Sequence, residues 1–162
     1  MAQAFIGVGS NIDKEENIRA GVHAMQNKFS NVKVSCIYES CAVGFKGDNY
    51  FNLVVGLETE MTPCELQEKL HEIENQFGRK RAGSRFISRT LDLDLLLYDD
   101  LVCDEVDMKI PREDVTGFAF VLRPLSEIAG NLKHPILAER YVDLWEAFEQ
   151  TDQEMWPVEF EF

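Results

Sequence analysis

The chain has 162 residues, with 16 Lys or Arg against 29 Asp or Glu, for a net charge of −13. That length suits a single domain with a real core over residues 1–162, and an apolar fraction of 45% excludes a disordered chain. The charge argues against nucleic acid or an anionic membrane surface as partner, and no apolar run reaches bilayer length.

The N-terminus, Met1-Ala2-Gln3-Ala4-Phe5-Ile6, lacks the positive start of a signal peptide and runs straight into a strand pattern over Ala2 to Gly9. Four cysteines, Cys36, Cys41, Cys64 and Cys103, have no Cys-x-x-Cys spacing and read as reduced thiols of a cytoplasmic protein. Gly7-Val8-Gly9-Ser10-Asn11 reads as a turn; it is not a P-loop, since no Gly-Lys-Ser/Thr follows. Asp13 with Glu16 suggests a capping box, and Ile18, Val22, Met25 and Phe29 share one helical face. Val32 to Tyr38 and Phe51 to Leu57 read as strands, separated by a loop over Ser40 to Asn49. Thr62-Pro63-Cys64-Glu65 places a cap, an N1 proline and an N3 acid at the start of a helix. Leu66, Leu70, Ile73 and Phe77 give its stripe and Gly78 its end. A Leu-rich stretch follows over Arg89 to Tyr98, reading as an inner strand. Leu101 to Val106 suggests a short strand, and Phe118 to Leu122 a helix that breaks near Pro124. After Arg140 come seven acids and no base, so residues 141–162 read as a peripheral acidic tail.

The chemistry concentrates at residues 79–98. Asp92 and Asp94 share one strand face, with Leu91, Leu93 and Leu95 on the other. Two carboxylates among leucines are costly unless something neutralises them; Mg²⁺, which takes one or two carboxylates and fills its shell with water and phosphate oxygens, would do so. Alone, Asp-x-Asp is what any half-exposed strand carries. The run Arg79-Lys80-Arg81-Ala82-Gly83-Ser84-Arg85-Phe86-Ile87-Ser88-Arg89 changes that reading, with five bases and no acid just before the pair. Guanidinium forks for phosphate oxygens beside carboxylates for a metal suit a polyphosphate. The order is βαββαβ, the ferredoxin-like α+β sandwich: an antiparallel sheet with helices on one face, plus a C-terminal extension.

Arg89-Thr90-Leu91-Asp92-Leu93-Asp94-Leu95-Leu96-Leu97 resembles the signature of the 6-hydroxymethyl-7,8-dihydropterin pyrophosphokinase family. The resemblance extends to Gly9-Ser10-Asn11, Tyr50-Phe51-Asn52, Ile73-Glu74, Gly78-Arg79, Phe120-Val121-Leu122, Pro124-Leu125 and Glu127-Ile128-Ala129. It covers about residues 4–135, in order and at family spacing.

The resemblance implies ATP-dependent transfer of pyrophosphate to the hydroxymethyl group of a dihydropterin in folate biosynthesis, with AMP released. It implies two Mg²⁺ ions on Asp92 and Asp94, and ATP as co-substrate. Arg79 and Arg89 take catalytic positions over the phosphates on a mobile loop. His71, Glu74, Arg81, Arg85 and Arg112 fall at nucleotide-side positions. Ser40, Val43, Tyr50, Asn52, Phe86 and Phe120 fall at pterin-side positions. The partners implied are small molecules, with the chain a monomer. The chain departs from the family at Ile87-Ser88 (commonly Gly-Pro), Asp107 (basic), Arg112 (His) and Phe118 (Arg), which leaves a non-catalytic pterin- or nucleotide-binding relative as the alternative.

Overall fold

The computed structural model describes residues 1–41, 48–77, 91–149 and 153–162. Arg79, Arg81, Arg85, Phe86, Arg89 and Val43, all expected in the site, lie outside the described residues.

Strand β1 (Ala2–Ser10) is central and antiparallel to both neighbours, β4 (Tyr50–Thr59) and β5 (Asp92–Tyr98). The far edge of β4 carries two short strands, β2 (Ser30–Val34) and β3 (Ile37–Ser40). Helices α1 (Lys14–Lys28) and α2 (Pro63–Gln76) complete the expected βαββαβ unit. Both cover one sheet face, packing Ile18, Val22 and Met25 of α1 and Leu66, Leu70 and Ile73 of α2 against Ala4, Ile6, Leu53 and Val55. The extension covers the other face. After a hairpin of β6 (Cys103–Glu105) and β7 (Met108–Ile110) come α3 (Asp114–Gly117), α4 (Ala119–Ala129) and α5 (Tyr141–Glu146). Their Val115, Val121, Leu122, Leu125 and Tyr141 pack on Phe5, Val54, Leu96 and Leu97.

Several local expectations give way. The glycine run is not a turn: β1 continues through Gly7 and Gly9 to Ser10. The Asp13 capping box does not form, because Asp13 sits in the left-handed region (φ 43°, ψ 46°) and its side chain caps nothing. The Thr62 cap does form, its Oγ1 accepting the Glu65 N–H at 3.2 Å. The strand expected over Val32 to Tyr38 splits at Ser35, whose Oγ takes over a ladder position by accepting the Val54 N–H at 2.9 Å. Helix α4 runs through Pro124. A mid-helix proline costs about 3 kcal/mol, but burying Val121, Leu122 and Leu125, at about 1.5–3 kcal/mol each, outweighs it.

Two corrections bear on the site. Among the described residues the Leu-rich β5 is an edge strand, not an inner one: it pairs only with β1. Two groups on its outer rim are taken by other means, the Leu93 N–H donating to Glu74 Oε2 (2.8 Å) and the Leu96 carbonyl accepting the Arg112 N–H (3.1 Å). The acidic tail is not peripheral. It adds β8 (Met155–Val158) to the sheet, antiparallel to β3, and Tyr141 is fully buried.

Candidate active site

Strand alternation and register assemble the site on the sheet face opposite α1 and α2. On β5, Asp92 and Asp94 point away from the core that holds Leu91, Leu93 and Leu95. Asp92 lies opposite Gly9 and Asp94 opposite Gly7, while across β1 the same glycines face Asn52 and Val54. On β3, Ser40 stands opposite Tyr50, and Asn52 Nδ2 donates to Ser40 Oγ at 3.5 Å. The two glycines lie between the acids and the amide, with the Leu96 side chain packed over Gly7 and Asn52 over Gly9. A carbon added at Gly9 would meet Asn52 Oδ1 at 2.9 Å, so the absence of a side chain there is what lets the amide lean over β1.

A bulge keeps this face in phase. Ile6 pairs Leu95 and Phe5 pairs Leu97, leaving Leu96 as the extra residue of β5. Leu96 and Leu97 therefore both pack toward α4, closing the site below the acids.

The cavity so formed measures about 420 Å³. Ser40, Tyr50, Asn52, Asp92, Asp94, Arg112 and Phe120, seven of the residues expected from sequence, line it together. Its aromatic wall is a stacked pair, Phe118 on Phe120, with centroids 4.9 Å apart and planes 18° apart. A second cavity, about 250 Å³, adjoins it and contains His71. The two share Asp94, Arg112 and Asp114. Arg112 thus stands at the seam. Its guanidinium reaches Asp114 at 3.7 Å, and its buried Nε has no hydrogen-bond partner among the described residues. A buried guanidinium N–H without an acceptor is costly unless a ligand oxygen arrives.

Glu74 lines neither cavity. It is fully buried, and the bond to Leu93 makes it a brace for the strand segment between the two acids. Residues that sequence reasoning did not place in the site are Gly7 and Gly9, hidden by their reading as a turn, and Asp114. Phe118, met in the sequence only as a departure, is half of the aromatic wall. Among the described residues, no three His, Cys, Asp or Glu side chains converge so as to hold a metal by themselves. The donor set is the Asp92–Asp94 pair: hard oxygens, half-buried, beside an open cavity. It fits a dication that completes its shell with substrate oxygens and water.

The chain that carries this cavity has counterparts among known proteins. A model of the family described as 7,8-dihydro-6-hydroxymethylpterin-pyrophosphokinase (HPPK) matches residues 5–130. The 2-amino-4-hydroxy-6-hydroxymethyldihydropteridine pyrophosphokinase of Haemophilus influenzae is 38% identical over 140 residues, covering 83% of this chain and 86% of that one. The protein of the same name from Aquifex aeolicus is 34% identical over 138 residues, covering 84% and 86%. Among solved structures, a Plasmodium falciparum HPPK-DHPS superposes with a TM-score of 0.70 at 14% identity, over 90% of this chain and 43% of that one. Another HPPK-DHPS, in complex with substrates, gives 0.71 at 13% identity, over 93% and 45%; both likenesses concern the fold. With a match that spans most of the chain and relatives above 30% identity along most of their own length, the chain belongs to the 7,8-dihydro-6-hydroxymethylpterin-pyrophosphokinase family.

Proposed function

We propose that this chain transfers pyrophosphate from ATP to the hydroxymethyl group of 6-hydroxymethyl-7,8-dihydropterin, releasing AMP. The observation that carries this reading is the convergence of Asp92 and Asp94 with Tyr50, Asn52 and Phe120 on one cavity, which Arg112 joins to a second. The first cavity takes the pterin: Phe120 offers a face for the ring and Asn52 with Ser40 offers polar groups for its edge. The second takes the nucleotide, with His71 on its wall.

In the reaction, the substrate hydroxyl oxygen forms a bond to the β-phosphorus and gives up its proton to water, while the bond from that phosphorus to the α-phosphate oxygen breaks, so AMP departs with the electron pair. Such chemistry needs little covalent help from the protein; alignment and charge compensation set the rate. Asp92 and Asp94 would hold Mg²⁺, two ions by family resemblance, which would neutralise phosphate oxygens. Arg112 donates its unpaired Nε–H to a phosphate oxygen at the seam, the role the departure from His leaves to it. Glu74 keeps the Asp92–Leu93–Asp94 backbone fixed while the charges around it change. Arg79 and Arg89 serve as the catalytic arginines over the phosphates; Arg81 and Arg85 add nucleotide contacts, Val43 and Phe86 pterin contacts. The chain acts as a cytoplasmic monomer on small molecules, a reading supported by its four free cysteines and its charge of −13.

The test is AMP release from ATP in the presence of dihydropterin and Mg²⁺. Dihydropterin-dependent AMP formation is expected; pterin binding without AMP would establish the non-catalytic alternative instead.

A further inference from the structure

Helix α4 begins with an unusual deficit. Its N-cap is Phe118, which has no side-chain oxygen to accept the first helical N–H groups. The N–H of Ala119 is nevertheless satisfied, by a residue 34 positions away: Gln153 Oε1 accepts it at 2.8 Å. The same amide turns its Nε2 to the Gly117 carbonyl and donates at 3.1 Å. Gly117 C=O and Ala119 N–H are the backbone groups on either side of Phe118. One side-chain amide therefore brackets a single residue, holding it in an extended conformation (φ −125°, ψ 128°). That residue stacks on Phe120 to form the aromatic wall of the cavity.

Gln153 belongs to a segment anchored at three further points. Met155 of β8 pairs with Ser40, which lines the same cavity. Trp156 Nε1 donates to Glu39 Oε1 at 3.2 Å. The segment finishes on α1, where Arg19 Nε donates to the Glu161 carbonyl at 3.0 Å and the Arg19 guanidinium lies 4.8 Å over the Phe160 ring. It thus ties the aromatic wall, the Ser40 rim and the first helix into one frame. All of it lies beyond residue 130, where the family match ends.

We infer that Gln153 is a positioning residue for the pterin: the bracket it forms around Phe118 holds that ring stacked behind Phe120, so that the Phe120 face is fixed for a flat ring to lie against. The inference rests on the pterin assignment of the larger cavity. It separates the two substrates, because Gln153 touches the wall of that cavity and nothing in the smaller one. Without the bracket, Ala119 N–H and Gly117 C=O turn to water, Phe118 swings, and Phe120 loses its backing. Ring positioning is sensitive to displacements of this kind.

The test compares wild type, Gln153→Leu, which removes both hydrogen bonds, and Gln153→Glu, which keeps the acceptor for Ala119 N–H. Michaelis constants for dihydropterin and for ATP are measured by AMP release, and binding of the fluorescent oxidised analogue 6-hydroxymethylpterin by titration. For Gln153→Leu the pterin KM and the analogue Kd are expected to rise about tenfold, while the ATP KM and kcat stay within about twofold; Gln153→Glu, which keeps the acceptor but not the donor to Gly117, is expected to leave a rise of about threefold. If the leucine variant does not fold, the glutamate variant carries the test with its expected selective rise of about threefold. A pterin KM and Kd unchanged in either folded variant, or both Michaelis constants rising together with a fall in kcat, would overturn the inference. A wild type that binds the analogue without releasing AMP overturns the transferase reading alone, since the titration still reads the wall; a wild type that binds no pterin overturns both.

Discussion

Gly9→Ala offers a graded test of how the cavity floor works. The new Cβ would sit 2.9 Å from Asn52 Oδ1, with nothing else nearer than the Phe51 carbonyl at 3.8 Å. An ordinary carbon–oxygen contact needs about half an ångström more, and the obstructing atom is the tip of a side chain, not backbone. The strand therefore keeps its register and Asn52 gives way. Turning the amide off its rotamer costs about 0.5–1.5 kcal/mol. Replacing glycine in an extended strand returns about 0.4–1 kcal/mol by restricting the unfolded chain. The net stability change is within about 1 kcal/mol, a melting shift of no more than about 2–4 °C for a domain of this size. Pterin recognition suffers more. An amide swung away from the ring edge leaves that edge without its partner, at about 1–3 kcal/mol, or about 5- to 150-fold in pterin KM. Thermal melting and pterin kinetics on the same preparation give both numbers. A pterin KM within twofold of wild type would refute the placement of Asn52 on the pterin edge; a melting drop beyond about 8 °C would show that the backbone, not the side chain, had moved.

Asp94→Asn keeps the shape of the cavity seam and removes one charge, so turnover should fall by about 10²- to 10³-fold with the melting temperature nearly unchanged; a rate within tenfold of wild type would remove Asp94 from metal holding. Tyr38, 3% exposed, donates its hydroxyl to Glu127, whose other oxygen accepts the Cys36 N–H at 3.1 Å. Burial and the adjacent carboxylate push the Tyr38 phenol well above its ordinary range. Because Glu127 remains open to water, Tyr38→Phe should cost only about 1–2 kcal/mol, read as a lower denaturant midpoint at unchanged slope, and no loss would mean the bond contributes nothing. His134 is buried, and its Nδ1 accepts the N–H groups of Ile136 (3.2 Å) and Leu137 (3.1 Å), a geometry open only to the neutral ring. Burial lowers its pKa below 6.5. The unfolded chain therefore takes up a proton first as the pH falls. The stability contributed by neutral His134 is complete above about 6.5 and declines, at up to about 1.4 kcal/mol per pH unit, as the pH drops toward the lowered folded value. Denaturant melts between pH 7.5 and 5.5 should show this slope in wild type and lose it in His134→Gln; equal slopes would place the proton uptake elsewhere.

The sequence revealed those parts of the fold and site that depend on side-chain period and on short spacings. Asp92 and Asp94 share a face because strands alternate, and Thr62-Pro63-Cys64-Glu65 starts a helix because its cap is local. Other features depend on partners far along the chain. A leucine on both faces of β5 reports that both faces are covered, by α1 and α2 on one side and α4 on the other; it says nothing about lateral neighbours, which is why an edge strand reads as an inner one. The tail reads as solvated because its acids point outward, whereas β8 joins the sheet through backbone groups that leave no side-chain pattern. Gln153 carries no local sign of its role, since the groups it satisfies lie at Gly117 and Ala119.

The two bonds on the outer rim of β5 have a bearing on solubility. A stretch as rich in leucine as Leu91–Leu97, with bare amide and carbonyl groups along one side, is a template for the matching strand of another molecule. Glu74 occupies one of those groups and the peptide of Arg112 another, so the side chain that steadies the acids also stops up the seam through which copies could zip together. Glu74 variants are accordingly expected to clump on storage, and light scattering would detect that damage before any assay of turnover did.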